Sequence, residues 1–105
     1  MTHVRIELPQ DRIVDFCRRW KVTEFALFGS VLTQDFGPDS DVDVLVSFDR
    51  DATWSLFDLA TMQEELREIF GWEVDLVERR AVENSENYIR RRHILSSTET
   101  VYVAR

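Results

Sequence analysis

Apolar positions along this chain follow two rhythms. From Pro9 onward, Ile13, Val14, Phe16, Cys17 and Trp20 recur at three- and four-residue spacings, the period of one helix face. Proline suits the first turn, where its missing N–H would have no partner. Asp11 meets the positive end of the same helix. Thr53 is the expected N-cap of a longer helix marked by Leu56, Leu59, Ala60, Gln63, Leu66, Ile69 and Phe70, with Gly71 as its stop. Asn84 or Ser85 would cap a last helix reaching about Leu95. Between these lie short β-like runs: Val22 to Phe28, an alternating run from Asp41, Trp72 to Glu78, and "TVYVA" near the end. A brief helical turn is expected after Ser30, and Gly37 to Ser40 reads as a loop. The order is α-β-α-β-α-β-α-β, which predicts a single α/β (α+β) domain over residues 1–105, a sheet covered by helices.

Three polar positions break the pattern. Asp41 and Asp43 interrupt an apolar run, and Asp75 stands between Val74 and Leu76 in another. Aspartate is a poor strand former, and burying a carboxylate without a partner is costly. Alternation places Asp41 and Asp43 on one face and Val42 and Val44 on the other. If the strand bearing Asp75 lies beside them, three carboxylates converge. Such a cluster repels itself unless a cation joins it, and hard oxygen donors suit Mg²⁺ or Mn²⁺. Gly29-Ser30, at the end of the first strand, is separated from Asp41 by a ten-residue spacer. Glycine lets the backbone approach a phosphate, and the N–H groups of the following turn can donate to its oxygens. A phosphate cradle beside a carboxylate cluster is the equipment of metal-assisted phosphoryl or nucleotidyl transfer. Asp75 would act there as a ligand on the nucleophile side or as a base.

Composition narrows the function classes. Hydrophobic residues make up 44% and charged residues 31% of 105, the balance of a folded globular domain. A formal net charge of −7 argues against direct nucleic-acid binding as the main task, since that needs many cations at phosphates. The one cysteine, Cys17, rules out a disulfide within the chain and suits core packing. No apolar leader or membrane-length run is visible, so a cytoplasmic location is expected.

The combination of Gly29-Ser30, Asp41-x-Asp43 and the later Asp75 resembles the nucleotidyltransferase superfamily related to DNA polymerase β. The short chain looks like its minimal nucleotidyltransferase (MNT) group, and "NYIRRRHILSSTETVYVA" is similar to the tail of that group. The likeness runs from about Leu8 to Ala104. It implies a short mixed β-sheet packed with helices. It implies that Gly29 and Ser30 hold the triphosphate of ATP, and that Asp41, Asp43 and Asp75 form the catalytic and metal-binding triad, with two Mg²⁺ ions. It further implies an antitoxin that transfers AMP from ATP to a tyrosine of a HEPN-domain ribonuclease toxin, in a hetero-oligomer with that partner. Many relatives carry basic residues just after Gly-Ser, whereas "VLTQDF" has none. That departure keeps open an antitoxin that neutralises its toxin by binding alone. Arg5, Arg50, Arg79 and Arg90 to Arg92 are candidates to restore the charge. A small-molecule nucleotidyltransferase is the third class, though 105 residues leave little room for a second substrate domain.

The remaining signals read as architecture. Three consecutive arginines, Arg90 to Arg92, fan around a helix and cannot all face one phosphate. His93 has no neighbouring metal-type residue, and His3 lies near the chain start. Trp20, Trp54 and Trp72 sit at element ends and are expected to pack on the core or its rim. Phe36 lies in the spacer, where an adenine would be near.

Overall fold

The computed structural model describes residues 6–34 and 36–104, with the side chains of Arg90, His93 and Ser96 outside the description. His3, Arg5 and Asp35 therefore lie outside the described residues. The elements are α1 (Gln10–Arg19), β1 (Val22–Phe28), a 3-10 turn (Gly29–Leu32), β2 (Val42–Phe48), α2 (Leu56–Phe70), β3 (Val74–Glu78), α3 (Arg79–Glu83), α4 (Tyr88–Ser96) and β4 (Thr98–Val103). The four strands form one mixed sheet in the order β3-β2-β1-β4. β1 runs antiparallel to β2 and to β4, while β2 and β3 are parallel. A parallel neighbour needs a crossover, and α2 supplies it.

Strand alternation divides the apolar residues between the two faces of the sheet. Phe25 and Leu27 of β1 and Val42, Val44 and Val46 of β2 form one core with Ile13, Phe16 and Cys17 of α1 and Met62, Leu66 and Phe70 of α2. Phe25 sits between Phe16 and Phe70, at ring-centre distances of 6.2 and 6.3 Å. Ala26, Phe28 and Leu45 face the other way and meet Val82 of α3 and Ile94 of α4 in a smaller cluster. Burial pushes the Cys17 thiol up to about 12, the behaviour of a packing residue. Among the described residues no helix is long and apolar enough to cross a membrane.

Several boundaries differ from the sequence expectation, each for a local reason. The N-cap of α2 is Ser55, not Thr53. Its hydroxyl accepts from Asp58 N at 3.2 Å while Asp58 Oδ2 accepts from Ser55 N at 2.9 Å, a reciprocal capping box. Asp58, three residues on, is what makes Ser55 the cap. Gly71 does end the helix, with φ at +73°. The buried stripe of α2 is Met62, Leu66 and Phe70, with Leu59 and Ile69 packed beside it, so Leu56 and Ala60 are exposed. Gln63, placed in the apolar stripe by spacing alone, instead accepts from Leu76 N at 3.2 Å and covers part of the outer edge of β3. β3 begins at Val74 rather than Trp72. The last helix begins at Tyr88, and the five-residue α3 precedes it; one turn and a half is too short to show a helical period.

Ser55→Ala is expected to lower stability by about 1 kcal/mol, and Thr53→Ala by less than about 0.5 kcal/mol. Urea denaturation of the two variants measures the difference directly.

Candidate active site

β1 and β2 bring the two halves of the motif together. Phe28, the last residue of β1, is the register partner of Asp43. The next residue, Gly29, has φ at +77°, the left-handed region that glycine enters without strain. A Cβ at this position would collide with Oδ2 of Asp43 and lie 3.2 Å from its Cγ. Glycine is therefore needed twice, for backbone conformation and for the approach of a carboxylate. The turn that follows is anchored by Val31, which is fully buried. Ser30 O accepts from Thr33 N at 2.9 Å and from Thr33 Oγ1 at 3.0 Å, which closes the turn.

The chain returns through a loop closed by two bonds: Ser40 N donates to Gly37 O and Gly37 N donates to Ser40 Oγ, both at 3.0 Å. Asp41 follows, one residue ahead of β2, so it flanks the strand rather than lying within it. Val42 N then donates to Glu73 O at 2.8 Å, tying the start of β2 to the start of β3. The parallel register sets Asp43 opposite Asp75. Val77 packs in the smaller cluster with Leu45, so two-residue periodicity turns Asp75 and Asp43 to that same face. Asp43 is half-buried, while Asp41 and Asp75 are exposed.

Electrostatics sharpen this geometry. The Asp43 carboxyl is pushed up to about 6, first by burial, then by the charge of Asp75, then by that of Asp41. Among the described residues, no positive charge contributes to that shift. Arg79 is paired with Glu24 at 3.2 Å, and Arg50 lines a cleft at the far end of β2. Arg91 donates to the carbonyls of Glu83 and Ser85 and lies over the Tyr88 ring. These arginines do not replace the basic residues missing after Ser30. Phe36, whose ring centre is 4.7 Å from that of Trp72, belongs to the packing around the main core. Trp20 and Trp54 pack edge to face at 5.1 Å on the rim, as expected.

Among the described residues, no three His, Cys, Asp or Glu side chains are gathered tightly enough to hold a metal ion by themselves. The donor set nevertheless fits Mg²⁺, which is commonly held by one or two carboxylates plus substrate phosphates rather than by an all-protein cage. Asp43, kept from full ionisation by its neighbours, is a carboxylate awaiting a cation. Beside Asp41 opens a cleft of about 730 Å³ whose wall includes Asp39, Glu68 and Trp72. The signals that sequence spacing could not supply are the Gly29–Asp43 approach and the register of Asp75, both products of strand pairing.

Because Asp43 holds a proton more tightly folded than unfolded, its contribution to stability falls as pH rises from about 4 through about 6. A shift of that size corresponds to ~3 kcal/mol unscreened, and to about 1 kcal/mol once the solvent at a half-exposed site is allowed for. Asp43→Asn is therefore expected to be about 1 kcal/mol more stable than the parent at pH 7.5 and nearly equal to it at pH 4. Urea denaturation at the two pH values checks this. Added Mg²⁺ should raise the Tm of the parent and not that of the variant.

Comparison with known proteins gives the family. A sequence model of the nucleotidyltransferase domain matches residues 11–98. The chain is 33% identical over 66 residues to a Methanocaldococcus jannaschii protein named "Putative protein adenylyltransferase MJ1379", an alignment spanning 63% of this chain and 66% of that relative. In fold it is similar to a toxin-antitoxin crystal structure with AMP-PNP, at a TM-score of 0.70 and 20% identity, covering 93% of this chain and 76% of the other. It is also similar to a chain from the complex of tri-AMPylated Shewanella oneidensis HEPN toxin with MNT antitoxin, at a TM-score of 0.62 and 20% identity, covering 90% and 70%. With the domain matched along most of its length and the fold of a minimal member, the chain belongs to the nucleotidyltransferase domain family.

Proposed function

We propose that this chain is a Mg²⁺-dependent protein adenylyltransferase that acts as an antitoxin, moving AMP from ATP to a tyrosine of a HEPN ribonuclease toxin. The observation that carries the reading is the register of Asp43 against Asp75, with Asp41 alongside and Gly29 pressed against Asp43. Support comes from the M. jannaschii relative, named as a protein adenylyltransferase, and from the fold shared with toxin-antitoxin complexes, one with AMP-PNP and one with an AMPylated HEPN toxin.

In this reading the backbone of Gly29 and Ser30 and the Ser30 hydroxyl hold the triphosphate, and Asp41, Asp43 and Asp75 hold Mg²⁺. Bound there, Mg²⁺ supplies Lewis-acid polarisation of the α-phosphate and charge neutralisation of the departing pyrophosphate. The tyrosine oxygen forms a bond to the α-phosphorus, the bond from that phosphorus to the β-phosphate bridge breaks, and pyrophosphate leaves. Asp75 serves as a ligand on the side of the attacking hydroxyl or takes its proton. Burial of Asp43 lowers the local dielectric, which strengthens its hold on a cation.

A second reading, toxin neutralised by contact alone, is favoured by one observation: the Gly29–Leu32 turn carries no basic residue. The two readings separate in one experiment. The chain is incubated with α-labelled ATP, Mg²⁺ and a HEPN-domain protein sought among the products of its neighbouring genes. Label is expected on a toxin tyrosine, and chelation by EDTA is expected to remove it. Asp43→Asn should lower transfer at least ~100-fold, more than the loss of an outer partner of a metal ligand. If toxin is silenced in cells equally well by the Asp43→Asn variant, contact alone suffices. Gly29→Ala should lose both activity and several degrees of Tm, because its methyl group must displace Asp43.

A further inference from the structure

The first turn of α2 carries a feature that catalysis does not use. Leu56 and Phe57 are 84% and 86% exposed, consecutive large apolar side chains left in water. They are held rigidly. The Ser55–Asp58 capping box fixes the turn, and Trp54 just ahead donates from Nε1 to Trp20 O at 3.0 Å. Beside them opens a cleft of about 330 Å³ whose walls include Phe48, Trp54 and Leu59. Leu59, which lines the cleft, lies three residues after Leu56, so Leu56 neighbours it along the helix, while Phe57 projects from an adjacent side of the same turn. The cleft is lined by three carboxylates, Asp49, Glu78 and Glu83, against Arg50 and Arg80; Asp51 and Asp58 stand near it in sequence, and Lys21, whose O accepts from Asp49 N, is also close by.

We propose that Leu56, Phe57 and this cleft form the docking surface for the protein partner, which presents an apolar side chain flanked by lysines or arginines. The proposal rests on the reading that the chain acts on a protein partner, and adds where that partner is gripped. The acidic rim selects a basic partner and speeds its approach. The preformed turn reduces the ordering cost of contact, the condition under which a small apolar patch becomes an anchor. Phe48 of the cleft lies five residues along β2 from Asp43, about 17 Å away. Grip and chemistry thus sit at opposite ends of one strand.

The test uses that same HEPN-domain protein, purified, as probe, with binding by calorimetry and AMP transfer by label read separately. The doubly substituted Leu56→Ser, Phe57→Ser variant should keep the parental circular dichroism and the Mg²⁺-induced rise in Tm, yet bind at least 30-fold more weakly. Asp49→Lys with Glu83→Lys should weaken binding and flatten its dependence on salt, whereas Asp43→Asn should bind like the parent. Equal binding by the Leu56/Phe57 variant overturns the proposal and leaves the transferase reading standing. A parental dimer that the same substitutions turn into a monomer, read by light scattering, overturns it in favour of a second copy of this chain. A parent that does not bind the HEPN protein overturns both readings. Binding that needs Leu56 and Phe57 without label on the toxin upholds the docking surface while the transferase reading falls.

Discussion

The half-buried carboxylate of Asp43 is the constraint on which the active end of this molecule depends. Strand pairing presses it against Gly29, sets it opposite Asp75 and leaves Asp41 within electrostatic range. Burial, then the charges of Asp75 and Asp41, make ionisation harder and push the group up to about 6. A fold selected for stability alone has no use for such a cluster, because an apolar residue at Asp43 would relieve burial and repulsion together. Strain of this kind is informative where a specific ligand would reverse it, and a divalent cation does so with the same oxygens that cause the cost.

How the sheet is wired explains why the cluster forms at all. The antiparallel pair β1/β2 returns the chain from the Gly29 turn to Asp43, and the parallel pair β2/β3, bridged by α2, starts two strands side by side. Residues early in β2 and β3 therefore share one end of the sheet. The same crossover sends the end of β2 and the beginning of α2 to the opposite end, where Trp54, Leu56 and Phe57 emerge. One topological decision separates a polar, self-repelling end from an apolar-and-acidic one, so a substrate protein can be held without crowding the carboxylates.

Much of this was legible in the residues, and the parts that were not share a cause. Val22 to Phe28 was readable as a strand because its apolar run is compact and bounded, and Gly71 as a helix stop because few residues tolerate its backbone conformation. The alternation of Asp43 with Val42 and Val44 placed the carboxylate and the valines on opposite faces, since period two is a local property, whereas Asp41 lies ahead of the strand. The choice of Ser55 over Thr53 turned on a reciprocal bond with Asp58, and the existence of α3 on contacts of Val82 with the sheet; neither leaves a periodic trace. Candidate site residues could be named from spacing, but their convergence could not. Register between β2 and β3 is a long-range fact, specified by which faces become buried rather than by the sequence of either strand.

One departure from the family pattern acquires a physical meaning in this setting. The turn after Ser30 carries no basic residue, Arg79 and Arg91 are engaged by Glu24 and by the carbonyls of Glu83 and Ser85, and Arg50 lines a cleft at the other end of β2. A triphosphate approaching that end meets repulsion unless cations come with it. Nucleotide and Mg²⁺ would then bind as a mutually dependent pair, each supplying the charge the other lacks. Binding coupled in this way is a thermodynamic linkage, so each should tighten the other by the same factor. A basic turn would loosen that coupling by holding phosphate unaided. On the proposed reading, this uncharged turn would make occupancy by nucleotide conditional on the metal.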